Sequence, residues 1–307
     1  MLTDNQILLA ALDEYVEGHL EAKKALIVML QRSKLRSYQK YTKNMGDDFL
    51  IAPMKLLLLG SSGTGKTHLI SSLQKISCFP LIKIDATHLN PVGATGGLKP
   101  EGLQELIRKN AQATCLSHPI LFPYLEPAIE QTVVFCDELD KLGRNFEGSS
   151  NWNRHVQSTF LTMFDNKDEF SGVSFVFAGA FDDVVNKVED KVVGFTRTLA
   201  DTENLDDAIV NTGIIPELVG RINSIIKLDN FSKETYMHIL ETRLLPKKSI
   251  DLAAMGVFDI MLTDEQKSAI VTKTHESRQG VRFLQRELDK LLLDREFELT
   301  LELTEQL

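Results

Sequence analysis

The feature that most constrains this 307-residue chain is a glycine-rich loop that follows directly on a short apolar run. The run Lys55–Leu59 ends in four leucines, and the next residues, from Gly60 to Thr67, read GSSGTGKT and match the pattern GxxxxGK[ST]. Glycines allow the backbone to curl so that its N–H groups face an anion, and the N-terminus of the following helix adds positive potential. The pattern predicts a phosphate-binding loop in which Lys66 contacts the β- and γ-phosphates of a nucleotide and Thr67 ligates Mg²⁺.

Short apolar runs alternate with helical patterns through the first 229 residues. The runs, which are typical of strands buried on both faces, are 55–59, 80–84, 132–136, 173–178 and 224–228. The helical patterns are 5–32 with a break at Gly18, then 67–76, 102–112 and 153–164. Beyond residue 229 only helical patterns occur, over 232–244, 263–274 and 281–297. We therefore predict an α/β domain with a parallel sheet over residues 1–229 and a small all-helical domain over residues 230–307.

A second group of chemistry-bearing residues ends the third apolar run. Residues 132–136 lead into two adjacent carboxylates, Asp137 and Glu138. The C-terminal ends of parallel strands form the edge at which open sheets bind their ligands. At that edge we expect Asp137 to hold Mg²⁺ and Glu138 to orient and polarise the water that attacks the γ-phosphate. The loop and the acid pair together predict a nucleotide-hydrolysing site.

The composition excludes several other classes of protein. No apolar run approaches the roughly 18 residues that a membrane span needs, and the N-terminus lacks the basic and apolar regions of a signal peptide. The three cysteines, Cys78, Cys115 and Cys136, form no CxxC pair, which argues against a disulfide framework or a structural zinc site and favours a cytoplasmic location. The net charge of −9 argues against non-specific binding to nucleic acid or to an anionic membrane.

Further motifs accompany the loop and the acid pair in a fixed order along the chain. They are LDEYVEGH at 12–19 with AKKA at 22–25, IDAT at 84–87, DELDKL at 137–142, GAF at 179–181, GIIPELVGR at 213–221 and GVR at 280–282. In this order the motifs resemble those of the AAA+ ATPases of the Clp type, in particular the ClpX and HslU branch. The resemblance covers almost the whole chain and implies a P-loop nucleotide-binding domain of the AAA+ type followed by its small helical domain.

The resemblance also implies cofactors, an assembly and residue roles. It implies an ATPase that uses Mg²⁺ and forms a homo-oligomeric ring, a hexamer. Tyr15 and Val16 would line the adenine, Arg221 would reach the neighbouring subunit's active site as an arginine finger, and Arg282 would contact the γ-phosphate from the small domain and couple nucleotide state to domain angle. The implied nucleotide contacts in the loop and directly after it are Ser61, Ser62, Gly63, Thr64, Gly65, Lys66, Thr67 and His68.

Several stretches depart from the family's pattern or match it only briefly. From this sequence we expect no counterpart of the zinc-binding N-terminal domain of ClpX. Pro91 stands where the first pore loop of the family carries an aromatic residue, which predicts a weak grip on a threaded polypeptide. Phe146 and Trp152 lie in the stretch that corresponds to the second pore loop and would supply the grip, unless Trp152 instead packs on its own helix. Val193-Gly194-Phe195 lies where ClpX carries the Ile-Gly-Phe loop that docks on ClpP, so it indicates either a ClpP-like peptidase partner or a surface loop in which Phe195 packs locally.

Three functions are compatible with these motifs. The first is a Clp-type protein remodeller or unfoldase that pulls on a protein substrate or adaptor. The second is an ATP-dependent switch or loader that acts on a nucleoprotein complex without threading a polypeptide, and the third is a non-threading scaffold that has kept its ATPase. Pro91 favours the switch and the scaffold, whereas Val193-Gly194-Phe195 favours the remodeller. Of the three, we expect the remodeller.

Overall fold

Five short strands form one parallel sheet, as the apolar runs predict. The structure is a computed structural model, which describes residues 3–89, 100–143, 150–165, 169–185, 200–253 and 262–304. The strands are β1 (Lys55–Leu59), β2 (Leu81–Asp85), β3 (Val133–Asp137), β4 (Ser174–Gly179) and β5 (Ser224–Lys227). Their order across the sheet is β2-β3-β4-β1-β5, and every neighbouring pair is parallel. The α/β fold with a parallel sheet is confirmed.

Helices connect the strands and then continue alone to the end of the described chain. Those before β5 are α1 (Asp4–Asp13), α2 (Leu20–Tyr41), α3 (Lys66–Ser77), α4 (Pro100–Ser117), α5 (Leu125–Glu130), α6 (Ser150–Asp165), α7 (Ala200–Val210) and α8 (Pro216–Val219). Those after β5 are α9 (Lys233–Ile239), α10 (Leu245–Ala253), α11 (Asp264–Ser277) and α12 (Gly280–Thr304). A π-helical turn, Leu240–Leu244, joins α9 to α10. Among the described helices, none has both the length and the apolar content that crossing a bilayer requires.

The leucine run of β1 is buried on both faces of the sheet. Its four leucines are at most 1% exposed, as the continuous apolar pattern predicts for a central parallel strand. Helix α6 packs on β4 through phenylalanine rings, with centroids 5.1 Å apart for Phe160 and Phe177 and 5.1 Å apart for Phe164 and Phe175. These contacts fix α6 beside the strands whose ends carry the candidate site.

The chain divides into two compact units. The first comprises Met1–Gly60 and Lys66–Leu228, and the second comprises Ser61–Gly65 and Asp229–Leu307. The second unit has its own apolar core, which includes Tyr236, Leu240, Ile270, Val271, Leu284 and Leu288. The tip of the glycine-rich loop thus groups with the C-terminal helices, which no pattern in the sequence indicates.

Helix α2 extends well beyond the periodic pattern that predicts it. The pattern ends near residue 32, but the helix continues to Tyr41 through a polar and basic stretch. It does so because Arg36 of that stretch is buried: its guanidinium pairs with the fully buried Glu130 of α5 and donates a hydrogen bond of 2.8 Å to the carbonyl of Ile51. Buried ion pairs of this kind leave no apolar signal in the sequence.

Candidate active site

The glycine-rich loop joins β1 to α3 and has the backbone geometry that its glycines predict. Gly63 and Gly65 have φ angles of +84° and +93°, which residues with a Cβ rarely adopt. The loop leaves the sheet where the N–H of Gly60 donates to the carbonyl of Gly179, at 3.3 Å. Lys66 begins α3 with only 8% of its surface exposed, and its ammonium donates to the carbonyl of Gly60. The loop therefore holds its lysine folded back at the end of β1.

Thr67 and the acid pair meet at the C-terminal edge of the sheet. The hydroxyl of Thr67 donates to Oδ2 of Asp137 at 2.8 Å, and the backbone N–H of Glu138 donates to Oδ1 at 2.9 Å. Both carboxylate oxygens of Asp137 are thereby fixed. Glu138 is exposed and has a φ of +58°, a conformation that is costly for a residue with a side chain and that often marks a functional site.

Asp140 ties the acid-bearing strand to its neighbour in the sheet. Its Oδ1 accepts the backbone N–H of Ala180 at 3.1 Å, just beyond the end of β4. A Cβ on Gly179 would lie 2.5 Å from the ring of Phe181 and 2.9 Å from Oδ1 of Asp140, so a side chain at position 179 would collide with both. The motif DELDKL indicates the position of Asp140, but its bond to Ala180 cannot be inferred from the motif.

The turn between α1 and α2 brings Tyr15 and Val16 to helix α3. Nε2 of His68 lies 3.0 Å from the carbonyl of Tyr15, within hydrogen-bonding distance. Val16 is buried and Tyr15 is 39% exposed. The ammonium of the buried Lys23 donates to the carbonyl of Val16 at 2.6 Å and pairs with Asp13. The structure therefore places Tyr15, Val16 and His68 together, and Lys23, to which the AKKA motif assigns no individual role, holds their turn in place.

Arg221 lies on an exposed segment of the first unit. Its guanidinium forms an ion pair with Asp165 at the C-terminal end of α6, and both side chains are solvent-exposed. The hydrogen bond between them raises the pKa of Arg221 and lowers the pKa of Asp165. Burial, and secondarily the nearby guanidinium of Arg221, lowers the pKa of Lys55 at the start of β1. Arg221 is thus oriented by one carboxylate within its own chain.

Arg282 lies within the second unit, beside the tip of the glycine-rich loop. Its Nη1 donates to Oγ of Ser62 at 3.4 Å, and the N–H of Val281 donates to the carbonyl of Gly63 at 3.1 Å. A Cβ on Gly280 would lie 2.4 Å from the carbonyl carbon of Gly63, so the two backbones touch. These contacts place a guanidinium next to the loop that is predicted to hold phosphates.

Cys136, directly before the acid pair, is fully buried. Burial, with a further contribution from Asp137 and Asp85, raises its pKa well above the usual range for a thiol. The thiol is therefore protonated at neutral pH, and a protonated thiol is a poor nucleophile. Its position indicates a packing role at the end of β3.

Four of the stretches that the sequence singles out lie outside the described residues. They are Pro91, Phe146, Val193-Gly194-Phe195 and the side chain of Trp152, although Trp152 itself belongs to α6. The predictions made for them remain predictions.

These residues define a class of protein. A loop that carries a lysine follows β1 at the C-terminal edge of a parallel sheet, and a hydroxyl and a carboxylate are in contact beside it. P-loop nucleoside triphosphatases bind the phosphates of their nucleotide with this arrangement.

Comparison with known proteins shows which members of that class the chain is similar to. Residues 56–208 match the family described as "ATPase family associated with various cellular activities (AAA)". The chain is 28% identical to the ATP-dependent Clp protease ATP-binding subunit ClpX of Bacteroides thetaiotaomicron, over 94% of this chain and 75% of the relative. It is 29% identical to ClpX of Treponema denticola, with the same coverage of both chains, and 28% identical to ClpX 2 of Wolinella succinogenes, over 94% of this chain and 76% of the relative.

The comparisons support a ClpX-like AAA+ ATPase, in agreement with the resemblance that the order of the motifs indicates. The protein binds nucleotide and hydrolyses ATP. The comparisons favour a Clp-type, ATP-dependent remodeller over a switch or loader of a nucleoprotein complex.

Proposed function

We propose that this protein hydrolyses ATP with Mg²⁺ at the C-terminal ends of β1 and β3 and uses the cycle to remodel a protein partner. The observation that carries the proposal is the 2.8 Å hydrogen bond between Thr67 and Asp137, which joins the loop motif to the acid motif across 70 positions of sequence. Two motifs that merely occurred in one chain would have no reason to meet in space.

The nucleotide would be held from both of its ends. Ser61 to Thr67 would surround the phosphates, with Lys66 displaced from the carbonyl of Gly60 to the β- and γ-phosphates. Tyr15 and Val16 would line the adenine, and His68, which lies beside the carbonyl of Tyr15, would complete the wall between base and phosphates. The clustering of these residues supports the assignment.

Thr67 and Asp137 fit a Mg²⁺ site. Both supply oxygen, which is the ligand atom that Mg²⁺ prefers, and their oxygens already lie within hydrogen-bonding distance of each other. A bound Mg²⁺ would neutralise charge on the phosphate oxygens. The protein's contribution is to keep both oxygens directed at one point: the N–H of Glu138 orients the carboxylate, and α3 orients the hydroxyl.

Glu138 would orient the attacking water and accept its proton. Its carboxylate is exposed at the sheet edge, and its strained backbone supports a catalytic rather than a structural role. Arg282 would contact the γ-phosphate in the same subunit. Its position beside Ser62, at the loop tip, supports this role.

The subunits would assemble into a homo-oligomeric ring, a hexamer, in which Arg221 acts on the neighbouring site. Arg221 is exposed and, among the described residues, pairs with the exposed carboxylate of Asp165, so a partner can engage it at little cost. An arginine finger of this kind contributes about 10³–10⁵ in rate. We further propose that residues 1–229 and 230–307 are the large and small AAA+ domains, and that the protein acts in the cytoplasm, where cysteines stay reduced.

The work of the ring would be performed on a protein substrate or adaptor. The relatives are named as ATP-binding subunits of a Clp protease, which supports a ClpP-like peptidase partner reached through Val193-Gly194-Phe195. Pro91 offers less area to a threaded chain than an aromatic residue would, so the grip would come mainly from Trp152 or Phe146.

The experiment that tests this function compares activators of ATP turnover. An unfolded, casein-like protein should stimulate hydrolysis, and DNA should not; stimulation by DNA alone would instead support the nucleoprotein switch. With a stable tagged protein as substrate, Trp152→Ala should abolish unfolding and leave basal hydrolysis intact, and Pro91→Tyr should increase unfolding. Wild-type unfolding that neither Trp152→Ala nor Phe146→Ala slows would contradict the assignment of the grip.

A further inference from the structure

Gln157, in the middle of α6, makes an unusually complete set of hydrogen bonds for a buried side chain. It is 1% exposed. Its Nε2 donates to the carbonyl of Leu142 at 3.1 Å and to the carbonyl of Gly213 at 3.2 Å, and its Oε1 accepts the N–H of Ile215 at 2.7 Å. Both donor hydrogens of the carboxamide are therefore used, and each bond goes to the backbone of another segment.

The two segments that Gln157 joins both lead to the proposed active sites. Leu142 belongs to the 3₁₀ turn Leu139–Gly143, which directly follows the acid pair at the end of β3. Ile215 precedes α8, and α8 leads into Arg221. One side chain thus ties the stretch after Glu138 to the stretch that carries the finger.

The same two segments also touch through their backbones. A Cβ on Gly213, whose φ is +97°, would lie 2.2 Å from the carbonyl oxygen of Gly143, and a Cβ on Gly143 would lie 2.1 Å from that of Thr212. No side chain fits between them. The junction therefore leaves little room for Ile215 to move relative to Leu142 while the bonds of Gln157 are intact.

Helix α6 contacts the finger segment at a second point. Asp165, which pairs with Arg221, lies eight residues beyond Gln157, about 12 Å along the helix at 1.5 Å per residue. The Asp165 pair is exposed and weakly held, whereas the bonds of Gln157 are buried and directional. Gln157 is thus the stronger of these two attachments.

We infer that Gln157 is a positioning residue that determines where Arg221 is presented to the neighbouring subunit. The inference rests on the proposed ring and its finger. Gln157 acts through the backbone from Gly213 to Ile215 and contacts no reacting group. The acid pair of the same subunit depends on it less, because β3 and the bonds of Asp137 to Thr67 and of Asp140 to Ala180 hold that pair separately.

The test uses mixed rings in which one subunit type supplies only the finger and the other only the site. Lys66→Ala subunits keep Arg221, and Arg221→Ala subunits keep the nucleotide site, so hydrolysis in a mixture occurs where an intact site receives an intact finger. Gln157→Met, which keeps the length of the side chain but removes its hydrogen bonds, is added first to the Lys66→Ala subunits and then, separately, to the Arg221→Ala subunits.

We expect at least a five-fold loss of ATP turnover when Gln157→Met is in the finger-supplying subunit, and less than a two-fold loss when it is in the site-supplying subunit. A residue that only stabilised the fold would lower both mixtures equally. Gln131→Met is the matched control, because Gln131 is a half-buried glutamine that donates to the carbonyl of Pro127 at 3.2 Å in α5, and it should change neither mixture.

The outcomes separate this inference from the proposed function. If the reference mixture without Gln157→Met is inactive, the finger in trans is wrong and the inference falls with it. If the reference mixture is active and both Gln157→Met mixtures match it, or both fall equally, only the inference is wrong. Should Gln157→Met fail to fold, Gln157→Asn keeps the amide but is one methylene too short for all three bonds, and the same asymmetry is expected of it.

Discussion

The edge of the sheet and the side chain of Arg221 belong to the same unit but are held in opposite ways. At the sheet edge, Lys66 is almost fully buried, and Asp137 has a hydrogen bond to each carboxylate oxygen. By contrast, the guanidinium of Arg221 is exposed and is paired with one exposed carboxylate. The difference shows which groups this chain orders by itself and which it leaves available to another molecule.

The difference has a physical reason. Catalytic groups that act within their own subunit gain from being fixed before the substrate arrives, because no ordering cost then falls on the reaction. A group that must enter a neighbour's site has to remain accessible and be released cheaply, and an exposed ion pair contributes little to stability. The comparison therefore predicts a different response to mutation in each region.

The largest effect is expected from Arg221→Ala. Removal of a finger should lower ATP turnover by about 10³-fold or more, because charge on the transferring phosphoryl group loses its stabilisation. Nucleotide affinity should be nearly unchanged, because in the proposed site the phosphates are bound by the subunit's own loop. Steady-state turnover and binding of a fluorescent ATP analogue measure the two quantities. Full activity of a protein that stays monomeric with ATP would contradict the role in trans.

Glu138→Gln should lower turnover by about 10²–10⁴-fold while ATP remains bound, because the amide cannot accept the proton of the attacking water. By contrast, Lys66→Ala should lose binding itself. The matched control is Glu126→Gln, an exposed glutamate in α5 far along the chain from the acid pair, which should behave like the wild type. Normal hydrolysis by Glu138→Gln would remove the acid pair from the mechanism.

Gly213→Ala tests whether the junction between the two regions is as tight as the backbone contact implies. The added Cβ would collide with the carbonyl of Gly143, and the alanine would have to adopt the positive φ of Gly213. Overpacking of about 1–3 kcal/mol and a backbone cost of about 1–2 kcal/mol should lower the melting temperature by several degrees. Gly46→Ala is the control, because its Cβ would find only Phe49, at 3.9 Å. Equal melting temperatures for the two variants would mean that the junction yields easily.

The smallest effect is expected from Asp165→Asn. The ion pair with Arg221 is exposed and screened by salt, so its loss should change the turnover of the assembled ring by less than two-fold. As the ionic strength is raised from low to moderate, the turnover of the variant and that of the wild type should converge. A loss as large as that of Arg221→Ala would make Asp165 part of the finger rather than its resting partner.

The sequence predicts the sheet edge more completely than the segment from Gly213 to Arg221. The strand before the glycine-rich loop, the loop itself and the acid pair are each encoded by neighbouring residues, and the parallel sheet then brings their ends together. Gln157 gives no comparable signal, because its partners lie 15 and 56 to 58 positions away and are backbone groups that every residue has. Local periodicity cannot encode such bonds.

Buried polar side chains account for other differences between the pattern and the structure. Arg36 extends α2 beyond its apolar pattern because it finds Glu130, and Lys23 holds the turn of Tyr15 and Val16 because it finds a carbonyl. Each of these residues reads as a solvated charge in the sequence. Helix propensity and the apolar pattern alone would assign such a residue to the surface, and only its partner in the folded structure explains why it is buried.

The buried thiol of Cys136 can report how often the acid-bearing strand β3 opens. A maleimide reacts with the thiolate, and burial keeps this thiol both protonated and covered. After the partly exposed Cys78 and Cys115 are changed to serine, the rate of labelling equals the rate at which the end of β3 opens, provided that the reagent reacts with the opened strand faster than the strand closes. One position before Asp137, the protein thus carries a reporter of how often the end of β3 opens.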